Sequence, residues 1–546
     1  MLTSLVLPGV LPRRPLRVTA NRFSKSIRFH DGLMRPADRV QFSQRLASGK
    51  RPYILVFDHG TTGIRACLMD HQGKFVARGY QKFRQFYPRK GWVEHNANTL
   101  WKTSLKVVEE AFREVGANWN DVEAVGITNQ RETVLIWDAK TGKPLHKAIV
   151  WQDKRTTDFC DALKGKPDVT DDIRQRTGLV IDPYFSASKM RWLLDHVPQA
   201  NKLMEQGCLR IGTVDSWILW NLSGGKSFVT DMTNASRTML FNLKTRDWDD
   251  HLLQTFGIER SLLPKIVESS AVFGETDPEL TGGRGIPLAG VAGDQQASLH
   301  GHKAWQPGEV KCTYGTGGFL LMNLGDSIRL SEHGLLTTTA TDAEGKPANA
   351  LEGAIFMAGA VIEWLQKKMG LIKTPADVDR LAESVESTED VYLVPAFTGL
   401  GAPYWDAEAR GTLTGVTQDT GRAHVVRAGA EAIAYQTRDV LEAMEADAGV
   451  RIESLAVDGG VTKSKFVMQF LADILGIPVR RNKESDITAR GAGYLAGKAV
   501  GFWKSAEEIR ALPDEQDVFE PKIDPEIREA LYKGWKDAVA RARSSL

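Results

Sequence analysis

One pattern occurs twice in this chain and narrows what it can fold into: a short apolar run, a turn rich in Gly and Thr, and a second apolar run. In the first copy Ile54-Leu55-Val56-Phe57 leads through Asp58-His59-Gly60-Thr61-Thr62-Gly63 into residues 64–69. In the second, residues 310–314 lead through Gly315-Thr316-Gly317-Gly318 into residues 319–322. Each copy reads as a β-hairpin with a Gly/Thr tip. The wide separation excludes a short-period array such as a solenoid or propeller. Strand-like runs at 124–128 and 455–457 alternate with amphipathic helices, the signature of an α/β fold. One helix is expected over 423–446, with Ile433, Val440, Leu441 and Met444 on one face and Gly449 as its stop. A strand ending at Asp458 and the pair Gly459-Gly460 precede another helix, whose Val467, Phe470, Leu471 and Ile474 share a face before Gly476.

At 546 residues the chain is too long for one core and suits two large lobes. The boundary is expected at residues 300–306. Ten Lys or Arg against two Asp give residues 1–50 a local +8, within a whole-chain formal charge of +2, so the body stands at −6. An acidic body offers no footprint for nucleic acid. No apolar stretch is long enough to span a bilayer, so no membrane insertion is expected. Cys67, Cys160, Cys208 and Cys312 are too scattered for a metal motif or a disulfide framework, which suggests a reducing cytoplasm. Residues 1–50 read as a disordered basic extension. Organellar targeting, or upstream sequence before a start at Met34, are the alternatives.

Glycine lets backbone amides approach an anion and threonine adds hydroxyl donors, so two such tips can clamp a triphosphate. Asp58 suits Mg²⁺, held through water, because that ion keeps most of its own waters and takes few carboxylates. The P-loop pattern G-x-x-x-x-G-K-[ST] does not occur. Gly491-Ala492-Gly493-Tyr494-Leu495-Ala496 matches a dinucleotide fingerprint by letter, but no apolar strand precedes it, and close helix packing explains it better.

Over residues 53–540 the chain resembles the glycerol kinases, within the sugar and polyol kinase group. The resemblance rests on Gly91-Trp92-Val93-Glu94-His95, Asn129-Gln130-Arg131-Glu132-Thr133, Val150-Trp151-Gln152 and Ile181-Asp182-Pro183-Tyr184-Phe185. Ala292-Gly293-Asp294-Gln295-Gln296, Tyr314-Gly315-Thr316-Gly317, residues 395–406 and Val457-Asp458-Gly459-Gly460 extend it. It implies two duplicated actin/hexokinase-like (ribonuclease H-like) ATPase domains with an interdomain cleft, at 51–302 and 303–546. It further implies transfer of the ATP γ-phosphate to glycerol, with ATP and Mg²⁺, in a cytoplasmic homodimer or homotetramer.

Matched positions then acquire expected roles. Asp294 is the expected catalytic base. Arg131, Glu132, Tyr184 and Gln295 would bond the hydroxyls of an uncharged triol, with Trp151 and Phe319 as an apolar wall. Thr61, Thr62, Gly63, Arg65 and Thr316 match the phosphate contacts, and Gly359, Glu363, Gly460 and Ser464 the adenosine side. Four positions depart from the family pattern: His59 and Glu363 where glutamine is usual, Gly63 where serine is, and Ser464 where asparagine is. Two other readings are a kinase of this fold acting on a ketose or another polyol, and a non-catalytic nucleotide-dependent protein of actin or chaperone type.

Overall fold

The computed structural model describes residues 52–544, so the basic extension at 1–50 lies outside the described residues. Both hairpins form. Tyr53–His59 pairs antiparallel with Gly63–Met69, placing Ile54 opposite Met69 and His59 opposite Ile64. Val310–Tyr314 pairs in the same way with Gly318–Gly325, placing Val310 opposite Met322 and Tyr314 opposite Gly318. Ile54, Leu55, Val56 and Phe57 are all fully buried, which is why this strand reads as one continuous apolar run: it is covered on both faces.

Each hairpin seeds a sheet, and the two sheets follow one plan. The first runs Ser270–Glu275, Pro287–Gly293, Val122–Asn129, Tyr53–His59, Gly63–Met69, Phe75–Lys82. The second, from the equivalent end, runs Gln516–Phe519, Val479–Asn482, Leu455–Gly459, Val310–Tyr314, Gly318–Gly325, Pro347–Ile355, with Leu336–Thr341 added at the far edge. Two parallel pairings flank each hairpin's first strand on one side and antiparallel pairings close both ends. The duplication inferred from two short motifs therefore extends strand by strand. Two such α/β lobes make up the actin-like ATPase fold.

The helix expected over 423–446 spans Arg422–Ala448 and ends at Gly449, whose φ of 68° needs no β-carbon. Lys465–Leu475 ends in the same way at Gly476, φ 67°. Chain order and packing part company near the C-terminus. Ile487–Ala499, which carries the Gly491 to Ala496 segment, packs on the first sheet: Ala489, Ala492 and Tyr494 share a core with Ile54, Val56, Met69, Ala124 and Ala289. It also lies against Asp294–Gly301 at a separation only glycine permits. A β-carbon on Gly491 would stand 1.8 Å from the Ala297 carbonyl oxygen, and one on Gly301 2.2 Å from that of Ile487. A division of the chain at 302/303 thus leaves a C-terminal helix inside the first lobe's packing.

The first lobe also holds a small sheet, Glu94–His95, Ala148–Ile149, Val134–Asp138 and Leu209–Thr213. Arg131 and Glu132 sit at the corner where the chain leaves Val122–Asn129 for Val134–Asp138. Among the described residues no helix is long and apolar enough to cross a membrane. All four cysteines are free and buried.

Candidate active site

The corner at residues 131–132 is conformationally special. Glu132 has φ 60°, a left-handed value that disfavours side chains with a β-carbon and is found disproportionately at functional sites. Its side chain and that of Arg131 turn into a closed ring of buried charges. Arg131 Nη2 donates to Glu352 Oε1 at 3.1 Å while its Nη1 bonds Oε2 of the same carboxylate. Arg237 donates from Nη2 to Glu352 Oε1 at 2.8 Å and from Nε to Glu132 Oε1 at 2.7 Å. None of these four residues is more than 3% exposed. Two planar guanidinium forks meeting two carboxylates satisfy most of the charge that burial strips of water. Glu352 comes from the second lobe, so the ring spans both.

Asp294 begins the helix Asp294–Gly301 directly after the strand Pro287–Gly293, which delivers its carboxylate to the ring's edge. Arg131 Nε lies 3.3 Å from Asp294 Oδ1, which also accepts from the Gln295 amide at 2.8 Å. Burial pushes the Asp294 carboxyl above its ordinary range, and Arg131 and Lys311 oppose the rise. A carboxylate raised in this way is a better proton acceptor. Tyr184 completes this side: its hydroxyl accepts from Arg131 Nη2 at 3.5 Å, and its ring meets Trp151 edge-on, 5.6 Å between centroids. Buried Lys189 donates to the Tyr184 and Phe185 carbonyls at 2.6 and 3.1 Å and to that of Pro183, fixing the turn that presents Tyr184. Burial brings the Lys189 ammonium down to about 8.

Two expected members are held through Lys311. Gln295 Oε1 accepts from Lys311 Nζ at 2.5 Å, while its neighbour Gln296 accepts from Arg131 at 3.3 Å. Phe319 lies on Gly318–Gly325, its carbonyl accepting from Lys311 Nζ at 3.3 Å, and among the described residues no ring pair joins it to Trp151 or Tyr184. Lys311 is wholly buried, and burial lowers its ammonium from the usual lysine range.

The first Gly/Thr tip adjoins this cluster. Trp151 Nε1 donates to Thr61 Oγ1 at 3.0 Å, and Gln130 donates to the Gly60 carbonyl at 3.1 Å. Asp58 accepts from Arg65 Nη1 at 3.1 Å, and the same nitrogen stands 2.9 Å from Asp486. Burial lifts the Asp58 carboxyl to about 6, with Arg65 opposing and Asp486 and Asp294 adding to the rise. The second tip is bound to the start of the helix Gly359–Lys367: Gly359 donates to the Gly315 carbonyl at 3.0 Å, and Ala358 and Ala360 donate to that of Thr316 at 2.9 and 3.0 Å. A β-carbon on Gly359 would stand 2.5 Å from the Gly315 oxygen, so only glycine fits there. Gly460 opens the turn Gly460–Lys463 with free space where a β-carbon would be.

Residues 53–301 match the FGGY family of carbohydrate kinases, N-terminal domain, and residues 310–500 its C-terminal domain. The chain is 51% identical over 492 residues to a glycerol kinase of Alkaliphilus oremlandii (strain OhILAs), covering 90% of this chain and 97% of the relative. The chain belongs to the glycerol kinases of the FGGY family. A glycerol kinase of Carboxydothermus hydrogenoformans is 50% identical over 493 residues, 90% of this chain and 98% of the relative. Among solved structures, the crystal structure of Plasmodium falciparum glycerol kinase with ADP is similar at a TM-score of 0.85 and 35% identity, covering 91% of this chain and 99% of that one.

Against this family's pattern, the four departures fall in different places. His59 faces away from Asp58, as neighbours on a strand do, and shares the core side with Phe57, 5.8 Å between ring centroids. It is fully buried, its pKa lowered by burial to about 3, and neither ring nitrogen has a hydrogen-bond partner among the described residues. Its substitution therefore lies in the core. Glu363 is exposed and pairs with Lys367 at 2.6 Å, one helical turn on. Ser464 is occupied structurally: it caps Lys465–Leu475 by accepting from the Val467 amide at 3.1 Å, and its hydroxyl bonds Asp379. Gly63 opens the strand Gly63–Met69.

Sequence reasoning missed Arg237, Glu352, Lys189 and Lys311. A charge inside an apolar strand or helix face was the available signal, as in Ala350-Leu351-Glu352-Gly353-Ala354 or Ser188-Lys189-Met190. Nothing local says what such a charge meets.

Proposed function

We infer that this enzyme transfers the γ-phosphate of ATP to a terminal hydroxyl of glycerol, giving sn-glycerol 3-phosphate and ADP, as in glycerol catabolism. The observation that carries this reading is the approach of Arg131 Nε to Asp294 Oδ1 at 3.3 Å, which sets a donor for a polyol hydroxyl beside a partly exposed carboxylate of raised pKa. In the proposed mechanism Arg131 and Glu132 hold two hydroxyls of the triol, Tyr184 and Gln295 add polar contacts, and Trp151 with Phe319 covers the carbons. Asp294 accepts the proton of the attacking hydroxyl. The new O–P bond forms in line with the bond from the γ-phosphorus to ADP, which breaks as ADP leaves.

Thr61, Thr62, Gly63, Arg65 and Thr316 are assigned to the phosphates, and Gly359, Glu363, Gly460 and Ser464 to adenosine. Positioning and neutralisation of charge supply most of the rate in such transfers, and exclusion of water prevents loss of ATP to hydrolysis. Asp58 fits Mg²⁺: burial and two neighbouring carboxylates raise its pKa, so a cation there relieves repulsion. Among the described residues no group of three or more His, Cys, Asp or Glu is arranged to hold a metal, so water and phosphate would complete the ion's shell. Bound Mg²⁺ neutralises phosphate charge. A cytoplasmic homodimer or homotetramer is the proposed assembly, checked by light scattering of the purified protein.

ATP-dependent phosphorylation of glycerol, xylulose, gluconate and erythritol, assayed side by side, tests the substrate. No preference for glycerol refutes the reading. Asp294→Asn is expected to lower kcat by at least about 100-fold while ATP binding stays within about threefold of wild type. Undiminished turnover removes Asp294 as the base.

A further inference from the structure

Gly63 stands where the family pattern has a serine, and backbone geometry does not require glycine there: it lies in the strand Gly63–Met69 and is not among the glycines with positive φ. What requires it is Tyr80. A β-carbon on residue 63 would stand 2.6 Å from the Tyr80 hydroxyl oxygen and 2.7 and 2.8 Å from two carbons of its ring. The phenol thus fills the space a serine side chain would occupy. Tyr80 belongs to the neighbouring strand Phe75–Lys82, directly opposite Arg65, and its ring centroid lies 5.3 Å from the Arg65 guanidinium carbon. The same guanidinium is hydrogen-bonded to Asp58. Tyr80 is 46% exposed, and its hydroxyl has no hydrogen-bond partner among the described residues.

We propose that Tyr80 is a nucleotide-binding residue, whose phenol supplies at the first phosphate loop the hydroxyl that a serine at position 63 would otherwise supply. The inference rests on the assignment of Thr61 to Gly63 to the phosphates. A phenol is a neutral donor at pH 7, suited to a phosphate oxygen. The hydroxyl reaches the loop from the adjacent strand, and a serine at position 63 and the phenol of Tyr80 cannot occupy the same space. The ring also lies over Arg65 and helps hold that cation at the loop. The ligand class is the polyphosphate of ATP or ADP.

Titration calorimetry with ADP on the full-length protein tests this. Tyr80→Phe keeps the ring over Arg65 and removes only the hydroxyl. The dissociation constant for ADP is expected to rise about tenfold, with the glycerol KM within twofold of wild type. An ADP dissociation constant within twofold of wild type overturns the proposal. The exchange is tested separately: Tyr80→Ala clears the space, and adding Gly63→Ser to it is expected to recover most of the lost affinity. If the double variant binds ADP no better than Tyr80→Ala alone, the proposal fails. Thr62→Ala, measured in parallel, locates a failure. If it weakens ADP binding and Tyr80→Phe does not, the role of Tyr80 alone is wrong. If neither does, the phosphate assignment of the loop falls and the proposal with it.

Discussion

The Trp151 indole donates to the Thr61 hydroxyl at 3.0 Å, joining the wall proposed for glycerol to the loop proposed for phosphate. Thr61 accepts in this bond, which leaves its own proton available for a phosphate oxygen. The two proposed substrate sites are thus linked by one side chain.

Trp151→Phe keeps an aromatic wall and removes that bond. With a neutral hydrogen bond contributing about 1 kcal/mol, the KM for ATP is expected to rise about fivefold, and that for glycerol by less than twofold. Initial-rate kinetics with each substrate varied in turn check the split. An equal rise in both would show that the ring's size matters and the bond does not.

Glu352→Gln preserves shape but removes one negative charge from the ring that holds Arg131 and Arg237. Losing one partner of a buried ion pair typically costs about 3–5 kcal/mol, part of which should appear as weaker glycerol capture, with a KM at least about tenfold higher. Glu352 also contributes to the raised pKa of Asp294, so the acid limb of the kcat profile is expected to move to lower pH in the variant. A purely structural role for Glu352 would leave that limb in place.

Stability should depend on pH through Glu431, a residue of Arg422–Ala448 that is 3% exposed and accepts from Arg427 at 2.7 Å. Burial lifts its carboxyl from 4.5 to about 7, against Arg427. A raised folded-state pKa means the folded protein holds its proton longer than the unfolded chain, so this contribution is complete below pH 4.5 and is lost as pH rises through 7. Glu431→Gln removes that loss. Denaturant unfolding at pH 4 should scarcely distinguish the two proteins. At pH 8 the variant is expected to be more stable, by up to about 3 kcal/mol.

Gly491→Ala places a methyl group 1.8 Å from the Ala297 carbonyl oxygen, so the two helices between the sheets must separate. Overpacking of this kind costs about 1–3 kcal/mol, and a lower Tm is expected. Because one of those helices begins at Asp294, kcat should fall as well. An unchanged Tm with full activity would contradict the packing.

Much of this was legible from local chemistry. Alternation, apolar runs and Gly/Thr turns identify both hairpins, because pairing across a short turn depends on residues close in sequence. Gly449 and Gly476 mark helix ends for the same reason: a left-handed residue is cheapest without a β-carbon. The family motifs named Asp294, Arg131, Glu132 and Tyr184, but their spacing alone gave no contact between them.

By itself, then, the sequence determined two hairpin-seeded α/β lobes and the residues around the proposed base. Only the tertiary structure decided that Glu352 and Arg237 complete a charge ring with Arg131 and Glu132, that Ile487–Ala499 packs in the first lobe, that Ser464 is a helix cap, and that Tyr80 fills the space beside Gly63. The physical reason is range. Turns and caps are set by neighbours a few residues apart, whereas a buried charge is tolerated only where distant segments bring its counter-charge, and those segments meet only in the folded chain.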